Sequence, residues 1–165
     1  MAKDKEPNGD AENGHHDAAE GASNASQTVL QYFWDLASYD EQVRVAAARG
    51  LVTDLLADQA KHAAGLGKDT ASAPEDGSPK IQQLEYHLRR CSPTMVYTLR
   101  RLARGLGSSR AAARQGFATA LTGLLAAGLA APVAAGGFLA PAGVLVLLDV
   151  CLEGPSRGGV GPWVT

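Results

Sequence analysis

The sequence predicts an all-α protein, an antiparallel helical array. Apolar residues recur at three- and four-residue spacing in five segments between residues 26 and 130. Helix-start signals precede several of them, twice as Ser-Pro. No segment alternates with period two for long enough to make a strand. No internal sequence repeat is clear by eye.

The first helix is expected over about 26–37, with Val29, Leu30, Phe33, Trp34 and Ala37 on its inner face. The second is expected over 39–63. Ser38 and Glu41 stand at capping-box spacing, and Val45, Ala48, Val52 and Leu55 form the stripe, flanked by Leu51 and Leu56. Residues 65–79, GLGKDTASAPEDGSP, have almost nothing to bury and are expected to be a mobile surface loop. A third helix over 79–91 starts at Ser78-Pro79, where a missing N–H at the first helical position costs nothing. Its stripe is Ile81, Leu84, Leu88 and Cys91. Ser92-Pro93 repeats that signal for a fourth helix over 93–105, with Met95, Leu99, Leu102 and Leu106 inward. Gly105 and Gly107 suit a left-handed helix end. Ser108 or Ser109 then caps a fifth helix over 109–130, with Ala113, Phe117, Ala120, Leu121 and Leu124 inward.

Charge is unevenly placed. Residues 1–25 hold two lysines against six carboxylates and no Val, Ile, Leu, Phe, Trp or Tyr. Such a segment buries too little to offset its ordering entropy, so a disordered acidic tail is expected. It is too polar for a signal peptide and too acidic for a transit peptide. Between Lys80 and Arg114 the balance reverses: eight cations face one acid, Glu85. Cys91 and Cys151 belong to no C-x-x-C pair, and His15-His16 has no further ligand nearby, so no metal site is expected. No cofactor is implied. Gln115 to Leu148 is free of charge and long enough to cross a bilayer. Pro132, Pro141 and the glycines at 128, 136, 137 and 143 argue against a span. Residues 131–165 are expected to be a Gly/Ala/Pro-rich tail of poorly specified structure.

The densest candidate surface is LRRLARGLGSSRAAARQGFATAL, Leu99–Leu121, with five arginines and no acid. Arg100, Arg101 and Arg104 lie off the fourth helix's stripe, with Arg89 and Arg90 upstream. They read as a phosphate-binding ridge or as an ordinary solvated face near a helix C-terminus. Arg110 and Arg114 border the apolar side of the fifth helix and are expected to pair with Asp54, Asp58 or Glu85. Backbone N–H groups of Gly105–Ser109 read as an anion cradle or, more simply, as the joint between two helices. Trp34 reads as core packing rather than a stacking platform. Arg89-Arg90-Cys91-Ser92 has the look of a basophilic phosphorylation site, while Ser92 also reads as a helix cap.

Residues 95–125, MVYTLRRLARGLGSSRAAARQGFATALTGLL, carry a longer pattern. Tyr97, Leu99, Arg101, Leu102, Gly105, Leu106, Gly107, Ser108 and Arg110 are followed by Ala113, Arg114, Gly116, Phe117, Ala120 and Leu121. This pattern resembles the N-terminal signature of the Myb-binding protein / DNA polymerase phi family, which includes yeast DNA polymerase V. FWDLASYDEQVRVAAARGLV, residues 33–52, is similar to that family's opening. The likeness extends over about 26–128 and runs out near Ala130. It implies the N-terminal part of an armadillo- or HEAT-like helical repeat. Its motif residues Gly105, Leu106, Gly107, Ser108, Arg110, Arg114 and Phe117 are expected to be structural.

The resemblance implies a nuclear, largely nucleolar protein. It also implies work in ribosomal RNA gene transcription and ribosome biogenesis, with transcription factors and nucleolar proteins as partners and sequence-independent contact with a DNA or RNA backbone. The family name raises polymerase activity as an alternative. Nucleotidyl transfer needs metals held by clustered carboxylates. Asp35, Asp40, Glu41, Asp54, Asp58 and Glu85 are scattered instead, and GLGSSR lacks the Gly-Lys-Ser/Thr ending of a P-loop. No catalytic residue is therefore expected. A second alternative is a membrane anchor over 117–148.

Overall fold

The computed structural model describes residues 29–67, 72–75, 77–133 and 137–153. Residues 1–28, 68–71, 76, 134–136 and 154–165 lie outside the described residues, and with them the expected acidic tail and parts of the expected loop and of the expected 131–165 tail. Six helices and no strand occur among the described residues. They are α1 (29–36), α2 (Glu41–Ala64), α3 (Lys80–Leu88), α4 (Pro93–Gly105), α5 (Ala111–Leu129) and α6 (Pro141–Leu152).

The bundle is organised around α4. Its Met95, Thr98, Leu99, Leu102 and Ala103 are all fully buried. It packs against α2, α5 and α6. The amphipathic period seen in the sequence is therefore real, but the buried stripe is wider than expected and admits a threonine. α2 packs along α5, and α3 packs along α6. α1 closes the far side through Phe33, whose ring meets Tyr97 and Phe117 at centroid distances of 6.2 and 6.4 Å.

α6 is the main departure from the sequence-based expectation, because 141–152 is a packed helix rather than unspecified tail. PAGVLVLLDVCL is apolar nearly all round, so it has no one-sided period to detect. Two backbone hydrogen bonds join the described parts of the link from α5. Gly137 N–H donates to Pro132 O, and Leu139 N–H to Gly128 O. Leu139 and Leu147 enter the common core. Gly143 lets α3 approach closely, since a Cβ there would lie 2.7 Å from His87 Cβ. Lys80 of α3 pairs with Asp149 at 2.8 Å and with Glu153. The hydrogen bond from Lys80 pulls the Asp149 carboxyl below its usual range and raises the Lys80 ammonium.

Helix starts differ from the capping signals in three cases out of four. α2 begins two residues later than expected, because Asp40, not Ser38, accepts from the N–H groups of Gln42 and Val43. α3 begins after Pro79 with no side-chain cap, so Ser78 is not its N-cap. α5 begins after Arg110, and Ser108 Oγ accepts from Arg110 N–H one step outside the helix. Only Ser92 caps as expected, accepting from Met95 N–H at 3.1 Å.

The joints before α2 and α5 share one construction. Ser38 Oγ accepts from Asp40 N–H, as Ser108 Oγ does from Arg110 N–H. Arg44 then reaches back to the carbonyls of Tyr39 and Ser38, five and six residues earlier. Arg114 reaches back by the same steps to Ser109 and Ser108. The two joints also touch: Arg110 donates to Ala37 O at 2.9 Å, and Arg44 to Gln115 Oε1 at 3.2 Å. Gly116 allows the meeting, since a Cβ there would lie 1.9 Å from Leu36 O.

Candidate functional site

The turn 89–92 between α3 and α4 is anchored from α2. Gln59 is buried, and both halves of its amide are used. Nε2 donates to Arg90 O, and Oε1 accepts from Ser92 N–H, each at 2.8 Å. Ser92 Oγ, besides capping α4, donates to Asp58 at 2.6 Å. Three hydrogen bonds thus hold a turn whose backbone groups would otherwise be buried without partners. Ser92 is 2% exposed, so the Arg89-Arg90-Cys91-Ser92 sequence does not present its hydroxyl to solvent.

Held this way, α3 runs to α6 rather than along α4. The space left between α3, α4 and the end of α2 is an open groove of about 970 Å³. Leu66, Leu88, Cys91, Pro93 and Val96 form its apolar floor, and Tyr97 adds a ring. Arg89, Arg100, Arg101 and Arg104 line it, with His62 and the carboxylate of Glu85. Four of the five arginines singled out in the sequence therefore meet at one place. They border a concave, apolar-floored groove and not a convex ridge. Arg90 is separate: it lines a smaller cavity of about 170 Å³ near Gln59 and Phe138.

Two of the guanidinium groups, those of Arg101 and Arg89, are held against aromatic rings. Arg101 donates to Tyr97 Oη at 3.2 Å and lies 4.6 Å over the Phe33 ring. Arg89 lies 3.8 Å over the Tyr86 ring and donates to Tyr86 O. Arg100 is half-buried, and its Nε is buried with no hydrogen-bond partner among the described residues. Arg104 lies near Cys151 of α6. Burial nonetheless raises the Cys151 thiol above its ordinary value, against the pull of Arg104 and Arg100. Burial pushes Cys91 further, to about 12. Both thiols are free and predominantly protonated at neutral pH.

Other expected site residues have local structural contacts. Gly105 is not in a left-handed conformation; Gly77 alone among the described glycines has positive φ. Gly105 instead makes room for Phe117, whose Cδ2 would lie 2.3 Å from a Cβ there. Leu106 is half-buried at the end of α4. The N–H groups of Leu106, Gly107 and Ser108 donate to Ala103, Arg104 and Gly105, so the turn does not hold them open as an anion cradle. Arg110 and Arg114 bind carbonyls, not carboxylates, and Arg110 also lies 5.2 Å from the Tyr39 ring centroid. Asp54 is engaged by Tyr32 Oη at 2.7 Å, a bond that raises the Tyr32 hydroxyl above its ordinary value. Asp58 is engaged by Ser92. Trp34 is 76% exposed, so it is not core. The inner face of α1 is Val29, Phe33 and Leu36.

What sequence reasoning missed is the floor. Val96 and Pro93 lie beside the α4 stripe and carry no functional signature. Leu66 and His62 come from a segment distant in the chain. The usable signal was Tyr97, four residues before Arg101 and therefore on the same helix face.

Among the described residues no group of three His, Cys, Asp or Glu side chains is placed to hold a metal ion. No helix among them is long and apolar enough to cross a membrane. The uncharged stretch 117–148 is divided between α5 and α6.

Residues 97–142 match the family model described as DNA polymerase phi. No curated protein and no solved structure matches the chain. The matched segment starts in α4 at Tyr97, includes all of α5 and ends inside α6. It thus runs beyond Ala130, where the likeness was expected to stop, and leaves out the upstream segment 33–52. Three of the groove arginines, Arg100, Arg101 and Arg104, lie within this segment similar to DNA polymerase phi.

Proposed function

We propose that this chain belongs to a helical-repeat scaffold that works in the nucleus, mainly the nucleolus. There it supports ribosomal RNA gene transcription and ribosome biogenesis by holding partner molecules. One observation carries the reading: the segment similar to DNA polymerase phi is the segment that supplies α4's wall of the arginine groove. The matching joints before α2 and α5 support a repeated helix-pair construction of armadillo or HEAT kind. Binding rather than polymerisation is favoured because Asp40, Asp54 and Asp58 are each spent on a cap or a hydroxyl partner.

The test is cellular. The tagged chain is imaged in nuclei, and precursor ribosomal RNA synthesis is followed by pulse labelling after its depletion. Nucleolar concentration with a changed synthesis rate is expected. A chain that stays outside the nucleus, or a depletion without effect on synthesis, would sink the reading.

A further inference from the structure

We infer that the groove between α3 and α4 binds a short acidic amphipathic peptide helix of a partner protein. This names the partner class of the scaffold just proposed and rests on that reading.

The composition of the groove favours this occupant over a nucleic acid. Protein-binding surfaces combine an apolar centre with a polar rim and are enriched in Arg and Tyr. Here Leu66, Leu88 and Val96 supply an apolar floor beside Tyr97. Contacts to a nucleic-acid backbone are mainly polar, made to phosphate and sugar. They would leave that floor facing a hydrated, charged chain. A helix with side chains is about 10–12 Å across and can lay one apolar face into a groove.

Charge selects the partner further. Arg100, Arg101 and Arg104 line the α4 side of the groove. Acidic side chains flanking the apolar face of the peptide would meet them in bidentate pairs. Arg101 and Arg89 are already ordered by aromatic faces, so little side-chain freedom is lost on binding.

The test uses the whole 165-residue chain and fluorescein-labelled synthetic helices of about 16 residues. The first peptide has Leu at i, i+3, i+4 and i+7 spacing with Glu on both flanks. A second replaces Leu by Ser, and a third replaces Glu by Lys. Anisotropy titrations are run on the wild type, on an Arg100→Gln/Arg101→Gln/Arg104→Gln variant, and on Lys61→Gln as a cation loss outside the groove. Circular dichroism checks that each variant is folded.

The acidic Leu peptide is expected to bind in the micromolar range. The triple variant weakens it by about 30-fold or more, as loss of several charge-assisted contacts requires, and Lys61→Gln leaves it within about two-fold. The Ser and Lys peptides each lose at least about ten-fold. If the triple variant fails to fold, the two altered peptides still decide the matter on the wild type. Equal binding of the Leu and Ser peptides, or no binding at all, overturns the inference. So does a duplex DNA that displaces the peptide and binds more tightly than it does. A negative result here with nucleolar localisation intact removes the peptide and leaves the scaffold. Loss of localisation with the peptide still bound removes the scaffold's setting and leaves the groove.

Discussion

Gln59 and Gly116 show how single residues decide this fold. Gln59 is a buried amide satisfied on both sides by the 90–92 turn. Gln59→Leu keeps the bulk and strands Ser92 N–H and Arg90 O. With about 1–3 kcal/mol for each of the two stranded groups, a loss of roughly 2–6 kcal/mol is expected. Urea unfolding checks this, and a loss below about 1 kcal/mol would mean that water replaces the amide. Gly116 sits where the α1–α2 joint presses on α5. Gly116→Ala would gain up to about 1 kcal/mol of helix propensity but drives a Cβ into the Leu36 carbonyl. Net destabilisation of at least about 2 kcal/mol is expected, because backbone on both sides must move. Gly107→Ala is the control, since its nearest neighbour is 3.5 Å from the added Cβ. It should stay within about 0.5 kcal/mol of wild type.

At the scale of elements, the pairing of α3 with α6 responds to pH in two steps. Burial, then the charge of Arg89, lowers the His87 pKa from its ordinary value near 6.5. A group depressed in the folded state contributes stability above its unfolded pKa and loses it as pH falls to the folded value. His87 therefore begins to cost stability as pH drops through about 6.5. Asp149, held low by Lys80, acts later. Its contribution is full above about 3.9 and disappears as pH falls below that. Unfolding midpoints should fall from about pH 7.5 to about pH 5 in the wild type and stay flatter in His87→Gln. The proton resonances of the His87 ring should titrate below about 6.5. A normal titration would contradict the packing of His87 against Gly143.

The described helices share one core that runs from Val29 to Leu147. A fragment of residues 26–130, the span that shows clear periodicity, would lack α6. Leu84 and Leu88 of α3 and part of α4 would then face water. Such a fragment is expected to be less stable than the full chain by more than about 3 kcal/mol, comparable to losing at least one large core side chain. It should bind a hydrophobic dye and lose helical signal from α3. Equal cooperativity of the fragment and the full chain would show that α6 is peripheral. The groove belongs to this scale as well, because it exists only where α3 departs from α4 to reach α6.

The sequence by itself determined the all-α class and the positions of α2 to α5 to within a few residues. It also determined most of the α4 stripe and the Ser92 cap. Those features are local: apolar period and a hydroxyl three residues before an N–H are written within one turn or two. Tertiary structure decided the rest. It sent Trp34 outward while Phe33 stayed in, because α1 is covered on one side only. It gave Gly105 and Gly116 their reasons, which are Phe117 and Leu36. It made α6 a helix, since a segment apolar on all faces shows no period until its neighbours are in place. It also gathered Arg89, Arg100, Arg101 and Arg104 over an apolar floor and left Arg90 elsewhere. Spacing along a helix says which residues share a face; only packing says what that face looks onto.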